Sequence, residues 1–253
     1  MTHLRSSIYN EFTVPATIFE TNQSGTRCFE QEQIAERWET FGYEINQYGF
    51  RYKVDNKGKT ICFSGCSMTF GQGLPEEKTF PQLVTKMLGS EWQCINLGLP
   101  GTGPDIQIAN LVWAINSFNL DKIVWYMSGP TRQIVYKNNK IYGYVPPDAT
   151  FFETEKQNNM FVRSNILLED THKLQIYWKL YALFSLTKSK GIPVYFRCWD
   201  GLFHHQLKNL RTEFDIKEIG HMPQRDLARD NMHPGILSNK QYAKNIEAVI
   251  NEN

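Results

Sequence analysis

Ile61-Cys62-Phe63-Ser64-Gly65-Cys66-Ser67-Met68-Thr69-Phe70-Gly71 is an apolar run that stops at a small serine between glycines. Its first half reads as a buried strand, and Gly65 and Gly71 bracket a tight turn that lifts the Ser67 hydroxyl to the carboxyl edge of a sheet. In open α/β sheets that edge is where ligands bind. A serine hydroxyl is a weak nucleophile unless a base, usually histidine, takes its proton and another group orients that base. Near the end of the chain, Arg229-Asp230-Asn231-Met232-His233-Pro234-Gly235 offers both. Pro234 biases His233 toward extended backbone, the geometry of a loop that presents a side chain. Behind it, Ser238-Asn239-Lys240-Gln241 has the form of a capping box, and Tyr242, Ile246 and Val249 or Ile250 supply a helical stripe. A terminal helix is therefore expected to anchor the loop.

Between the serine turn and the histidine loop the hydrophobic pattern alternates. Strands are expected over 60–64, 93–97, 122–127 and 193–198, with helices near 80–88, 104–117 and 166–190 before the terminal one. Such alternation indicates a parallel sheet covered on both faces. Residues 1–58, punctuated by Pro15, Asn22 and Gly25, read as an N-terminal extension packing on the core, and 59–253 as one domain. The stretch Tyr136–Asn159 is polar and aromatic, contains Pro146-Pro147 and breaks the pattern. It reads as an insertion or lid-like loop, in which Tyr142, Tyr144, Phe151 and Phe152 either reach substrate or form an aromatic satellite cluster on the core. His204-His205 are read as lying in a loop, and the histidine and cysteine spacings carry no metal-site signature.

This order of serine turn, α/β units and D-x-x-H before a last helix resembles the SGNH hydrolases, also called the GDSL esterase and lipase family. Gly65-Cys66-Ser67-Met68-Thr69-Phe70-Gly71-Gln72-Gly73 is similar to that family's G-D-S-x-T-x-G-x-G block. Asn96-Leu97-Gly98-Leu99-Pro100-Gly101 is similar to its N-x-G-x-x-G turn, and Asn46-Gln47-Tyr48-Gly49-Phe50-Arg51 to an N-x-x-G-F-R segment upstream of the serine block. The resemblance implies a three-layer α/β/α, doubly wound parallel sheet of flavodoxin-like type. It implies a catalytic triad of Ser67, His233 and Asp230, with the Gly101 backbone amide in the oxyanion hole.

Two departures stand out. Cys66 occupies the place of the family's usual aspartate, which is not the triad acid, so mechanism is little affected. The third block, G-x-N-D, supplies an asparagine donor to the oxyanion, yet Ser128-Gly129-Pro130-Thr131-Arg132 contains none. Losing one such donor typically costs about a hundredfold to a thousandfold in rate, roughly 3–4 kcal/mol. Thr131 or Arg132 is the expected replacement; for Arg132 a surface or structural ion pair is the alternative.

Composition fits an ordinary soluble enzyme. At 253 residues the chain is long enough for one substantial core, and its net charge of +1 supplies no global field for nucleic acid or an anionic membrane. No apolar stretch approaches the roughly 20 residues needed to span a bilayer, and the first residues lack the apolar core of a signal peptide, so a cytoplasmic location is expected. Cys28, Cys62, Cys66, Cys94 and Cys198 are scattered and read as reduced core residues. Aromatic residues in expected loops, among them Trp199, Phe203, Tyr144 and Phe151, point to a carbohydrate substrate, because sugars stack on such rings, with core packing as the equal alternative. The expected function is thus hydrolysis of acyl esters, short-chain or acetyl, of a carbohydrate or other small polar molecule, through an acyl-enzyme and without a metal or other cofactor. O-acyl transfer to a sugar hydroxyl, and a non-catalytic binding or structural module, are the alternatives.

Overall fold

The computed structural model describes Tyr43, Asn46, residues 50–51, 58–137, 140–144, 155–228, 230 and 232–252, with backbone alone for 133–137, 140–144 and 155–169. The rest of the 1–58 extension, and Phe151 and Phe152 of the expected insertion, lie outside the described residues, as do the side chains of Tyr142 and Tyr144. In chain order the elements are β1 (Lys59–Gly65), a one-turn helix α1 (Ser67–Phe70), α2 (Phe80–Leu88), β2 (Trp92–Asn96), α3 (Pro104–Ser117) and β3 (Lys122–Met127). A hairpin, β4 (Gln133–Lys137) and β5 (Lys140–Tyr144), precedes the long α4 (Glu155–Ser189). Then come β6 (Val194–Cys198), α5 (Gly201–Gln206), α6 (Lys208–Glu213), the two-residue β7 (Lys217–Glu218) and α7 (Ile236–Asn251).

The main sheet runs β2-β1-β3-β6-β7 with every pair parallel. This is the doubly wound order expected: the chain leaves β1 toward β2 on one side and reaches β3 on the other, so the crevice opens at the carboxyl ends of β1 and β3. Alternation along the strands decides what covers each face. Ile61, Phe63, Val124, Tyr126 and Tyr195 point to one face and pack with Phe80 and Val84 of α2 and Tyr242, Ile246 and Ile250 of α7. Cys62, Ile123, Trp125 and Phe196 point to the other, against Leu111 and Ile115 of α3 and Ile176, Leu180 and Phe184 of α4. Cys62, Cys66, Cys94 and Cys198 are free and buried, and burial pushes the thiols of Cys94 and Cys198 up to about 12, where they stay protonated. No helix among the described residues is long and apolar enough to cross a membrane.

Three expectations are corrected. The 136–159 stretch is not one loop: it holds most of a hairpin and the start of α4, which begins at Glu155. Residues 155–165 lack an apolar stripe, so periodicity misses them, although Glu, Lys, Gln, Met and Arg there are good helix formers. His204 and His205 lie on α5, capped by the Asp200 side chain, which accepts from the Phe203 amide at 3.0 Å. Ser238 is not an N-cap. α7 starts at Ile236, and the Asp226 carboxylate, from outside the helix, takes the amides of Leu237 (2.9 Å) and Ser238 (2.8 Å). Ser238 Oγ turns inward and donates to Asp226 Oδ1 at 2.6 Å, while Gln241 bonds Asn245 instead of reaching back.

Candidate active site

Ser67 is the first residue of α1, directly beyond the end of β1. The turn between them demands glycine. Gly65 sits at φ +156°, and a Cβ there would meet Thr69 Oγ1 at 2.1 Å and the Tyr126 carbonyl oxygen at 2.7 Å. The N-x-G-x-x-G segment packs directly on this turn. A Cβ at Gly98 would lie 2.2 Å from the Phe70 amide nitrogen, so a side chain is excluded by close approach of two backbones. Asn96 welds the two segments together: its Nδ2 donates to the Thr69 carbonyl at 3.0 Å, and its Oδ1 accepts from the Gly98 amide at 2.9 Å. Gly101 follows at φ +74°, exposed, with no atom within 4 Å of its Cβ position.

Arg51 supports the far side of the same turn, a role for which its sequence carries no signal beyond the motif. Its guanidinium is buried and donates from Nη1 to the carbonyls of Phe70 (3.0 Å), Gly71 (3.1 Å) and Leu74 (3.3 Å). They lie at the end of α1 and just beyond it, where no further helical turn exists to take them, and of the three only the Gly71 carbonyl also accepts a described backbone amide, that of Leu74 at 3.1 Å. The rings of Tyr43 and Phe70 lie 4.5 and 5.0 Å from the Arg51 Cζ, a cation–π sandwich, and among the described residues no carboxylate pairs with it. Burial lowers the Arg51 pKa from its ordinary value.

The histidine loop arrives from the other end of the chain and is clamped in a narrow hairpin. The Ala228 amide donates to the His233 carbonyl (2.6 Å) and the Gly235 amide to the Asp226 carbonyl (2.9 Å). Asn239 of α7 then fastens it: Nδ2 donates to the carbonyls of Pro234 (3.0 Å) and Gly235 (2.8 Å), and Oδ1 accepts from the Phe80 amide of α2 (2.9 Å). The terminal helix thus anchors the loop through Asp226 and Asn239, side chains with no local motif to reveal them.

These supports bring Ser67, His233 and Asp230 together. His233 Nε2 lies 2.7 Å from Ser67 Oγ, and His233 Nδ1 lies 2.5 Å from Asp230 Oδ2. Asp230 Oδ1 accepts the backbone amides of Met232 (3.1 Å) and His233 (3.0 Å). Burial alone would raise the Asp230 pKa, but the hydrogen bonds from the His233 ring and from these amides outweigh it and hold the carboxyl below its ordinary value. An ionised carboxylate can only accept, so Nδ1 carries the imidazole proton and the Nε2 lone pair faces the serine hydroxyl. Ser67 itself is only 8% exposed.

The segment without asparagine is ordered by a buried network. Gln107 of α3 accepts at Oε1 from Trp125 Nε1 (3.0 Å) and donates from Nε2 to Ser128 Oγ (2.9 Å), and Ser128 Oγ donates to the Thr102 carbonyl (2.9 Å). Thr131 and Arg132 follow at the carboxyl end of β3, both half-buried. The Arg132 guanidinium lies over the Trp199 ring, 4.9 Å from its centroid, and makes no ion pair among the described residues, so the ion-pair alternative finds no partner there. Trp199 is 42% exposed at the end of β6, whereas Phe203 is buried in the core and does not reach the surface. Among the described residues no group of His, Cys, Asp and Glu side chains is placed to hold a metal ion.

No protein-family model and no curated protein sequence matches this chain. Solved structures do match its shape. The psychrotrophic esterase EstA from Pseudoalteromonas sp., in a structure inhibited by monoethylphosphonate, aligns at TM-score 0.51 and 10% identity, over 77% of this chain and 97% of its own. TesA aligns at TM-score 0.50 and 12% identity, over 77% and 99%. A protein described as of the lipolytic G-D-S-L family from Desulfitobacterium hafniense DCB-2 aligns at 0.50 and 10%, over 76% and 99%. With its parallel sheet, its strand order and these structural neighbours, the chain has the fold of the SGNH, or GDSL, hydrolases.

Proposed function

We propose that the protein is a serine esterase that hydrolyses acyl esters, short-chain or acetyl, of a carbohydrate or other small polar molecule. The observation that carries this reading is the unbroken relay from Ser67 Oγ through the His233 ring to Asp230, at 2.7 and 2.5 Å. In the proposed reaction His233 Nε2 takes the hydroxyl proton as Ser67 Oγ attacks the ester carbonyl. Asp230 stabilises the imidazolium and keeps the ring in the accepting tautomer. The tetrahedral oxyanion is held by the backbone amides of Ser67 and Gly101, with Thr131 or Arg132 as the third donor. Collapse breaks the ester C–O bond, the imidazolium proton passes to the leaving alcohol, and water then attacks the acyl-enzyme with His233 again as base. The exposed face of Trp199, at the same carboxyl edge of the sheet, supports a sugar or similar ring as the leaving alcohol.

The test is labelling with a fluorophosphonate, with the modified residue located by peptide mass spectrometry, alongside p-nitrophenyl acetate hydrolysis. Label at Ser67 that disappears in His233→Ala, with turnover abolished in Ser67→Ala, is the expected result. A folded protein that neither labels nor turns over sinks the esterase reading and leaves a binding module. Analysis of products in the presence of a sugar acceptor separates hydrolysis from transfer.

A further inference from the structure

We propose that a cavity of about 650 Å³ at the free edge of the sheet, beside β7, binds a small molecule through a phosphate group. Strands lie about 4.8 Å apart, so β6 and β7, which border the cavity, stand roughly 10–15 Å across the sheet from β1; none of Ser67, Asp230 and His233 lines the cavity, which is a separate site.

Arg197, Lys208, Arg211 and Glu218 are the charged groups that define it. Asp215 also lines the cavity, with its exposed carboxylate paired to Lys217 at 2.9 Å. Three cations therefore face two carboxylates, one of which is exposed and paired with a lysine outside the lining. Glu218 does not cancel the guanidiniums so much as fix them: its Oε1 holds Arg197 Nη1 at 2.6 Å and its Oε2 holds Arg211 Nη1 at 2.5 Å. On each arginine Nε is buried without a partner, while no described residue accepts a hydrogen bond from Nη2, which is not buried. Each of these lining guanidiniums is thus held in place by Glu218 and keeps Nη2 free to donate. Lys208 is exposed and makes no ion pair among the described residues.

His204 closes the floor without adding charge. Its Nδ1 accepts the Cys198 amide at 3.2 Å, which leaves the proton on Nε2, 3.0 Å from Glu218 Oε1. Burial and the two arginines lower its pKa to about 4. Fixed, partly desolvated guanidiniums with a mobile ammonium beside them match the tetrahedral oxygens of a phosphate. The volume lies within the range of small-molecule sites and far exceeds one phosphate, which calls for a phosphorylated organic molecule.

Titration calorimetry on the full chain at pH 7.5 and low salt tests this with inorganic phosphate, glucose 6-phosphate, and glucose as the uncharged control. Saturable binding of glucose 6-phosphate, tighter than inorganic phosphate, absent with glucose and weakened at least about tenfold in Lys208→Glu, is expected. Ser67→Ala should bind unchanged, which separates this site from the esterase proposal. Lys208 supports no buried group, so the variant should keep the melting temperature of the parent. No saturable binding up to 10 mM (roughly the weakest specific affinity of interest) overturns the proposal. So does binding that Lys208→Glu leaves intact. Inorganic phosphate bound as tightly as the sugar phosphate would overturn the organic-ligand part.

Discussion

Asp230→Asn offers the sharpest test of how the relay works, because the outcome follows from which way an amide must turn. Asp230 Oδ1 accepts two backbone amides, from Met232 and His233. In the variant only the amide oxygen can take those donors, so the NH2 group is forced toward His233 Nδ1, which sits 2.5 Å from the present Oδ2. Nδ1 must then accept, the ring proton moves to Nε2, and the atom 2.7 Å from Ser67 Oγ becomes a donor that cannot take the hydroxyl proton. Mis-set tautomers of this kind cost about 10⁴ in kcat in the serine-protease triad, roughly 5.5 kcal/mol of barrier. We expect p-nitrophenyl acetate turnover and fluorophosphonate labelling of Ser67 to fall by 10³–10⁴ together (an order-of-magnitude range), with thermal stability changed far less. A variant that keeps more than about a tenth of the parental rate would refute the reasoning, since Asp230 would then not control the tautomer.

Further outcomes follow from the supports around the site. Arg51→Met strands the carbonyls of Phe70 and Leu74, leaves Gly71 only the Leu74 amide, and should lower unfolding free energy by about 3 kcal/mol, read by urea denaturation; a loss under about 1 kcal/mol would mean the stranded carbonyls find other donors. Gly98→Ala drives a methyl to within 2.2 Å of the Phe70 amide and should cost about 1–3 kcal/mol while displacing Ser67, so the labelling rate falls with stability. An alanine variant that labels at the parental rate would show that the second turn does not brace the nucleophile. His204 is held neutral, with its pKa lowered to about 4, whereas the unfolded chain protonates it near pH 6.5. The unfolded state therefore binds more protons between those values. Its contribution to stability is complete above about pH 6.5 and is lost as pH falls toward about 4. Melting temperature in that window should fall less steeply in His204→Gln, and an unchanged slope would contradict the assignment.

Much of this arrangement is written locally. The strand of Ile61–Ser64 ends at Gly65 because the next step needs a backbone that only glycine tolerates, and that local demand is visible in the residues themselves. The parallel layers follow from buried apolar strands alternating with amphipathic helices, and the pairing of Asp230 with His233 needs only three residues and a proline. Other features depend on contacts between distant segments. Arg51 meets the turn after Ser67, Asn239 of the last helix meets the Phe80 amide, and Gln107 ties Trp125 to Ser128, each through a polar side chain whose partner lies elsewhere in the sequence. A side chain that satisfies a distant backbone group leaves no periodicity and no spacing behind. Ser238 illustrates the converse, since its local pattern promises a cap that Asp226, reaching in from another strand of chain, takes over. Sequence alone determined the strand, the glycine turn and the chemical types of serine, histidine and aspartate. Only the tertiary structure decided that the serine and the histidine, separated by most of the chain, stand 2.7 Å apart, because that distance is set by packing α7 and its loop against the sheet.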